Sequence, residues 1–260
     1  MTVTAFTTDI ARSIGFLSRL PVPDRFFDGH DGSMAQMVRA FPAAGFLLSI
    51  PAALAILLVL GLTGKAVMAA LIGLAIQTAI TGALHEDGLT DTADGLGSRG
   101  DRARALEIMR DSRIGTYGAV ALVFSLALCV TSLALLFDAL GPLAAAALFC
   151  ALGALSRAAL VWHWYRLAPA RNDGVAAASG TPFRHATMVA LSSGVLLFLV
   201  VGLIILPLGA VVFSGMVVAL AILAFTRHVD RRLGGHTGDT LGASQQIAEI
   251  GALTALALFI

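Results

Sequence analysis

Two neighbouring apolar stretches decide the fold: residues 117–137, YGAVALVFSLALCVTSLALLF, and residues 141–164, GPLAAAALFCALGALSRAALVWHW. The first stretch has no charged residue, and the second has only Arg157. A helix of about 20 residues crosses the roughly 30 Å hydrocarbon layer of a bilayer. Each stretch is therefore long enough to form a transmembrane helix.

Similar apolar stretches extend on both sides of this pair, at residues 43–62, 66–84, 186–206, 208–225 and 241–260. The last is the least apolar, because its first half contains Gln245, Gln246 and Glu249. Of the 260 residues, 58% are hydrophobic and only 13% are charged, whereas about a quarter are charged in a typical soluble domain. The sequence predicts an all-α, polytopic integral membrane protein with about seven transmembrane helices, which excludes an ordinary soluble globule and a disordered chain.

The N-terminal segment has a different pattern from the bundle that follows. Residues 5–20 are amphipathic, with one apolar face formed by Phe6, Ile10, Ile14 and Leu17. We interpret them as an interfacial helix on the bilayer, although a helix packed on protein would show the same pattern.

No repeat or linker divides the chain. We therefore expect one domain over residues 1–260, with a cytoplasmic or interfacial segment at 1–40 and a transmembrane bundle at 41–260. Cys129 and Cys150 lie within apolar runs, which is typical of buried, unreactive thiols.

Positive charge is concentrated in alternate connections. Apart from Lys65 and Arg157, all Lys and Arg residues lie in the N-terminal segment or in residues 85–116, 165–185 and 226–240. The positive-inside rule places these four segments, and the N-terminus, in the cytoplasm. A polar inner face suits an enzyme with cytosolic substrates, whereas a transporter more often places polar groups at mid-membrane. The net charge of +1 argues against nucleic-acid binding.

The richest polar stretch is residues 85–95, HEDGLTDTADG. On a helix, Asp87, Asp91 and Asp94 share one face within roughly 60°. Like charges so arranged repel each other unless a cation lies between them, and carboxylate oxygens are ligands that Mg²⁺ prefers. The alternative is a solvated acidic loop, but the helical phase and the absence of Lys favour a metal site.

Arginines form two further features of the sequence, the first of which suggests a phosphate ligand. Residues 110–118, RDSRIGTYG, contain Arg110 and Arg113, whose guanidinium groups match phosphate oxygens, although they could equally anchor a helix end. Arg157 lies within the fourth apolar stretch, where an ionised group is costly. It should therefore face a partner or a wet cavity, the alternative being that it snorkels to the interface.

Residues 234–243, GGHTGDTLGA, precede the last apolar stretch. Glycines allow a backbone to wrap around an anion, and the N-terminus of the following helix favours negative charge. Asp239 adds a carboxylate at the same place. A plain glycine turn would not need His236, Thr237 and Asp239 together, which favours a ligand site.

These motifs together resemble the cobalamin synthase (adenosylcobinamide-GDP ribazoletransferase) family. The resemblance rests on residues 16–21 with 41–45, 85–95, 110–118, 156–157 with 170–174, and 234–243 continuing to Glu249. It implies a multi-pass enzyme of the bacterial inner membrane with a cytoplasmic active site. Such an enzyme joins adenosylcobinamide-GDP to α-ribazole or its 5′-phosphate, releases GMP and requires Mg²⁺.

Combining motifs and resemblance, we expect Mg²⁺ to bind Asp87, Asp91 and Asp94, with Asp111 as a further ligand or a nearby group. The pyrophosphate would be bound by Arg110, Arg113 and Arg157. A second phosphate would lie against His236, Thr237 and Gly238. Asp239 or His85 would accept the ribose proton, and the sequence does not choose between them.

Two other functions remain open at this point. A phosphotransferase of the CDP-alcohol type also uses helix-phased aspartates, but with a longer run at four-residue spacing. A cation or corrinoid transporter would carry acidic groups in several spans, and only Glu249 qualifies. Besides the small substrates and the bilayer, a second copy of the chain is a partner that the sequence leaves open.

Overall fold

Helices form nearly all of the regular structure in the computed structural model, which describes residues 3–30, 32–171 and 179–260. In chain order the α-helices of these residues are α1 (Val3–Leu17), α2 (Phe41–Thr63), α3 (Ala66–Thr81), α4 (Leu84–Gly97), α5 (Arg102–Ile108), α6 (Thr116–Leu140), α7 (Pro142–Arg166), α8 (Arg184–Ile205), α9 (Leu208–Leu233) and α10 (Gly238–Phe259). No strand occurs in the described ranges beyond one isolated bridge between Pro169 and His236. The predicted all-α class is confirmed.

Five segments are long and apolar enough to cross a membrane: Met37–Thr63, Thr116–Leu140, Pro142–Arg166, Arg184–Ile205 and Leu208–Leu233. They confirm the multi-span architecture. Helices α3 and α4 meet the same test only as a pair, and α10 is not among the candidates. Seven separate spans are therefore not confirmed.

Helix α4 is sharply bent away from α3, by 88°. The bend is made at Gly82 and Ala83, which both have left-handed backbone, with φ of +66° and +59°. At 14 residues, α4 is only about 21 Å long, and it carries four carboxylates. It is too short and too polar to cross the bilayer by itself, so we place it outside the spanning segments.

Helix α7 is the centre of the bundle. Its most apolar window is 89% buried, against 22% for α8, and it packs against α2, α8 and α10. Gly45 of α2 and Gly153 of α7 leave no room for a Cβ between the two backbones. Small residues allow such close approach of helices in membranes.

The N-terminal helix α1 docks on the protein. Asp9 and Leu17 are buried, and the Asp9 carboxylate lies 2.6 Å from Nε of Arg39. The ring of Phe16 stacks on Phe41, with centroids 5.9 Å apart. Packing on protein thus accounts for the buried face of α1, while its position on a bilayer surface stays a prediction.

The arginine-rich segments meet at one end of the bundle, as the predicted topology requires. The Arg102 guanidinium donates from Nε to the carbonyl of Leu233 (2.6 Å) and from Nη2 to that of Ala170 (2.5 Å). The N–H of Met34 donates to the carbonyl of Ser179 at 2.9 Å. These bonds link all four segments, so their residues can contribute to a single site.

Candidate active site

A cavity of about 430 Å³ lies where these segments meet, between α1, α4, α7 and the start of α10. Its lining includes polar residues from both sequence motifs and from the segment after α7, together with apolar residues of α1, α7 and α10. The polar side chains are those of His85, Asp87, Arg171, Ser179, His236, Thr237 and Asp239, and Gly238 lies among them. The acidic motif and the glycine motif, about 150 residues apart in sequence, therefore share one cavity.

Helices α4 and α10 approach each other through glycines. A Cβ on Gly242 would lie 3.2 Å from the carbonyl oxygen of Leu84 and 3.3 Å from the Cα of His85. No side chain can be added there without moving a backbone. Gly242 thus allows the acidic motif and the glycine motif to lie against each other.

The glycine motif is held rigidly at the cavity. The backbone of His236 is paired with Ala168 and Ala170 by two hydrogen bonds of 2.8 Å. Thr237 then caps α10: its hydroxyl accepts from the N–H of Thr240 (3.2 Å), and the Thr240 hydroxyl accepts from the N–H of Thr237 (3.0 Å). This reciprocal capping starts α10 at the cavity, where its N-terminal end favours an anion.

Carboxylates crowd one side of the cavity. Asp87 and Asp239 line it, and Asp91 lies close to both. Burial, with added repulsion from Asp87, Asp239 and Asp94, raises the pKa of Asp91 to about 7. Burial also raises the pKa of Asp239, although Arg171 Nη2 lies 3.5 Å from its Oδ2 and partly compensates. The negative charge here exceeds the positive charge that faces it.

The donor chemistry of this cluster suits Mg²⁺, because carboxylate oxygens are the protein ligands that this ion takes. Asp87, Asp91 and Asp239 together supply them. Within the part of the chain that the structure describes, however, no group of three or more His, Cys, Asp or Glu residues is already arranged to hold a metal ion. Binding would require these side chains to move together, and Mg²⁺ stays a prediction.

Asp94 has a different environment from the other motif aspartates. Its Oδ2 accepts from the N–H of Gly115 at 2.7 Å, and its Oδ1 accepts from the N–H of Gly118 at 2.9 Å. These donors belong to the first turn of α6, where a carboxylate satisfies free N–H groups and complements the helix dipole. Asp94 thus anchors α6, and its role as a metal ligand is untested.

Arg110, Asp111 and Arg113 lie in the exposed loop between α5 and α6. Arg113 Nη2 pairs with Asp111 Oδ2 at 2.6 Å, and the hydrogen bonds from Arg113 lower the pKa of Asp111 to about 2. The Arg113 side chain is 86% exposed, and none of the three residues lines the cavity. Their assignments to phosphate and metal stay predictions.

Arg157 faces a buried partner, as its position in an apolar span requires. Its Nη1 lies 3.2 Å from Oε2 of Glu249, which also accepts a hydrogen bond from Gln245. Snorkelling is therefore the wrong explanation. This polar cluster borders a separate cavity of about 20 Å³, shared with His85 and Glu86, rather than the main cavity. Its contact with pyrophosphate stays a prediction.

The model of the family described as cobalamin-5-phosphate synthase matches residues 9–257. The chain belongs to this family. The adenosylcobinamide-GDP ribazoletransferase of Sinorhizobium medicae (strain WSM419) is 54% identical over 256 residues, 98% of each chain. Those of Rhizobium meliloti (strain 1021) and Brucella ovis (strain ATCC 25840) are 55% and 39% identical, over 97% and 96% of each chain. No solved structure matches.

Membership of the cobalamin-5-phosphate synthase family confirms the resemblance seen in the motifs, and with it the assignment as an enzyme. The structure adds Arg171, which belongs to the stretch at residues 170–174 on which the resemblance rests but had no assigned role. Arg171 is the one Arg or Lys side chain that lines the cavity among the described residues. Residues 172–174 of that stretch lie outside them.

Several buried nitrogens of the cavity lack partners. Within the described residues, Nε2 of His85, both ring nitrogens of His236 and Nε1 of Trp164 have no hydrogen bond. Burial lowers the pKa of His236 to about 4, so its imidazole is neutral at pH 7. An unpaired buried polar group is costly, so these nitrogens are available to pair with a ligand or with water in the cavity. Only the fold reveals Trp164, because its sequence context is apolar.

Proposed function

We propose that this enzyme joins adenosylcobinamide-GDP to α-ribazole, or to its 5′-phosphate, and releases GMP. One observation carries the proposal: the acidic motif of α4 and the glycine motif before α10 line the same cavity. The names of the relatives, which match over nearly the whole chain, support the choice of substrates.

The reaction exchanges one phosphoryl bond for another. The ribose hydroxyl oxygen forms a bond to the phosphorus that carries the cobinamide. The bond from that phosphorus to the bridging oxygen of the pyrophosphate breaks, GMP leaves with the electron pair, and the hydroxyl proton passes to the protein. Such a transfer depends on positioning and on neutralising phosphate charge, and needs no covalent enzyme intermediate.

The cavity residues fit these tasks. Arg171 and the N–H groups at the start of α10 would bind phosphate oxygens. Asp87, Asp91 and Asp239 would hold Mg²⁺, which when bound neutralises charge on the non-bridging oxygens. With Asp239 in that set, His85 is left to accept the ribose proton. Its Nε2 is buried and has no hydrogen bond, and a neutral imidazole is suited to this role.

The proposed cellular location of the enzyme rests on the distribution of its Arg and Lys residues. The arginine-rich end of the bundle, where the cavity lies, would face the cytoplasm under the positive-inside rule. We therefore place the enzyme in the bacterial inner membrane, with its cavity open to cytosolic substrates.

The test is an assay of nucleotide release by the purified protein in proteoliposomes. With adenosylcobinamide-GDP and α-ribazole we expect GMP in the presence of Mg²⁺ and none after chelation or without the acceptor. A CDP-alcohol offered instead should give no CMP. CMP release with the CDP-alcohol, and no GMP release with the corrinoid, would replace this function by that of a CDP-alcohol phosphotransferase.

A further inference from the structure

One wall of the cavity is apolar and continuous. It is formed by residues of one hydrophobic cluster, contributed by α1, α7 and α10: Phe16, Leu17, Leu160, Trp164 and Leu241. We refer to these residues as the apolar wall. It adjoins the carboxylates and the glycine motif within the same cavity, so a ligand could rest one part on the wall and present another part to the polar groups.

The indole nitrogen of Trp164 in the apolar wall and the ring nitrogens of His236 beside the wall have no protein partner in the described residues. Trp164 and His236 are each 1% exposed, and their rings meet edge-on with centroids 6.1 Å apart. The indole N–H and both imidazole nitrogens lack hydrogen bonds in the described part of the chain. A flat ring that is mostly apolar and has one ring nitrogen would bury its surface here and pair with one of these groups.

The substrates differ in how well they meet that description. Guanine has donors or acceptors along most of its edge, and an apolar wall would leave several of them unpaired at a cost. The corrin ring with its amide side chains is far larger than a cavity of about 430 Å³. The base of α-ribazole is a dimethylbenzimidazole, which is apolar except for a single free ring nitrogen.

We propose that the apolar wall binds the dimethylbenzimidazole base of the acceptor, with the indole N–H of Trp164 donating to its free ring nitrogen. This inference rests on the proposed function and assigns the apolar side of the cavity to the acceptor nucleoside. The ribose then extends from the wall toward Asp239 and His85, where its hydroxyl would be activated. Trp164 is thereby a residue that determines which acceptor is used.

The first test is the Trp164→Phe variant, which keeps an aromatic ring and removes the donor. We expect the KM for α-ribazole to rise about tenfold, the effect of losing one hydrogen bond, and the KM for adenosylcobinamide-GDP to stay unchanged. The matched control is Trp162→Phe, on the same helix but bordering a separate groove between α7, α8 and α9. It should change neither KM.

A second variant, Phe16→Leu, removes an aromatic surface of the wall without touching α7. We expect it also to weaken α-ribazole binding, measured by calorimetry on the detergent-solubilised protein without the second substrate. Guanosine should not compete. The proposal is overturned if guanosine displaces α-ribazole, or if both variants raise only the KM for adenosylcobinamide-GDP.

The calorimetry also separates this inference from the proposed function. Loss of α-ribazole binding in Trp164→Phe, in a protein whose parent releases no GMP from the two substrates, would support the binding site and overturn the reaction. Normal GMP release with unaltered α-ribazole affinity in both variants would support the reaction and overturn the site.

Discussion

Gly88 of α4 lies so close to Gly242 of α10 that a Cβ on Gly88 would stand 3.1 Å from the Cα of Gly242 and 2.7 Å from the carbonyl oxygen of Asp239. Two helices from distant parts of the chain therefore touch through their backbones. This contact sets the distance between the acidic motif and the first turn of α10, and so the dimensions of the proposed active site.

Gly88→Ala should separate α4 from α10 and misplace the carboxylates. Because displacements of about 1 Å can cost on the order of 100-fold in rate, we expect GMP release to fall by about that factor while the protein still inserts into membranes. Gly61→Ala in α2 is the matched control, since a Cβ there meets nothing within 4 Å. Equal activity of both variants would show that the close contact is dispensable.

Asp87→Asn removes one cavity carboxylate without changing its size. We expect turnover to drop by at least about 100-fold, as when a group that stabilises transition-state charge is lost, with unchanged membrane insertion and no loss of thermal stability. The exposed Asp138, at the far end of α6, provides the control Asp138→Asn, which should behave like the parent. Full activity of Asp87→Asn would remove the metal assignment.

Asp94→Asn should act on stability. An amide has one accepting oxygen, so one of the N–H groups of Gly115 and Gly118 would lose its partner, at a cost of about 1–2 kcal/mol. Thermal unfolding in detergent should show this loss, and added Mg²⁺ should not restore it. A variant as stable as the parent, but with a lower affinity for Mg²⁺, would instead identify Asp94 as a ligand.

The raised pKa of Asp91 predicts a pH dependence of stability. This group has an ordinary pKa of 3.8 and a folded-state pKa of about 7, so between these values the folded protein holds more protons than the unfolded chain. The stability contribution of Asp91 is thus present below about pH 4 and is lost as the pH rises to about 7. Asp91→Asn, which cannot ionise, should lose less stability between pH 5 and pH 8.

Thermal unfolding at these two pH values, with and without Mg²⁺, measures the effect. At pH 8 the ion should stabilise the parent more than Asp91→Asn, because only the parent presents all three carboxylates. The same pH dependence in both proteins would contradict the electrostatic account of this cluster.

Arg171 and Arg113 provide a comparison between a cavity arginine and an exposed one. We expect Arg171→Ala to raise the KM for adenosylcobinamide-GDP by about 10-fold or more, since charge-assisted hydrogen bonds contribute about 1.5–3 kcal/mol. Arg113→Ala should change it less than about twofold, because its side chain lies in solvent beside Asp111. The reverse order would favour the exposed loop as the phosphate site.

The membrane architecture was predictable because long apolar helices have a local signature. The apolar stretches that form α2, α6, α7, α8 and α9 could be identified from composition alone. A separate span at residues 66–84 is not confirmed, because the left-handed residues Gly82 and Ala83 turn the chain by 88°. Hydropathy does not depend on backbone direction and could not predict this bend. In α10 the polar residues of the first half lower the hydropathy, since they serve interior contacts such as Gln245 with Glu249.

The residues of the candidate site were likewise predictable only in part. Spacing and residue chemistry were enough to single out Asp87, Asp239 and His236, because acidic and glycine-rich motifs are unusual in so apolar a chain. Whether a given polar group faces the cavity depends on contacts between helices far apart in sequence. Only the folded chain could show that Asp94 binds the start of α6, that Arg157 pairs with Glu249, and that Arg171 and Trp164 line the cavity.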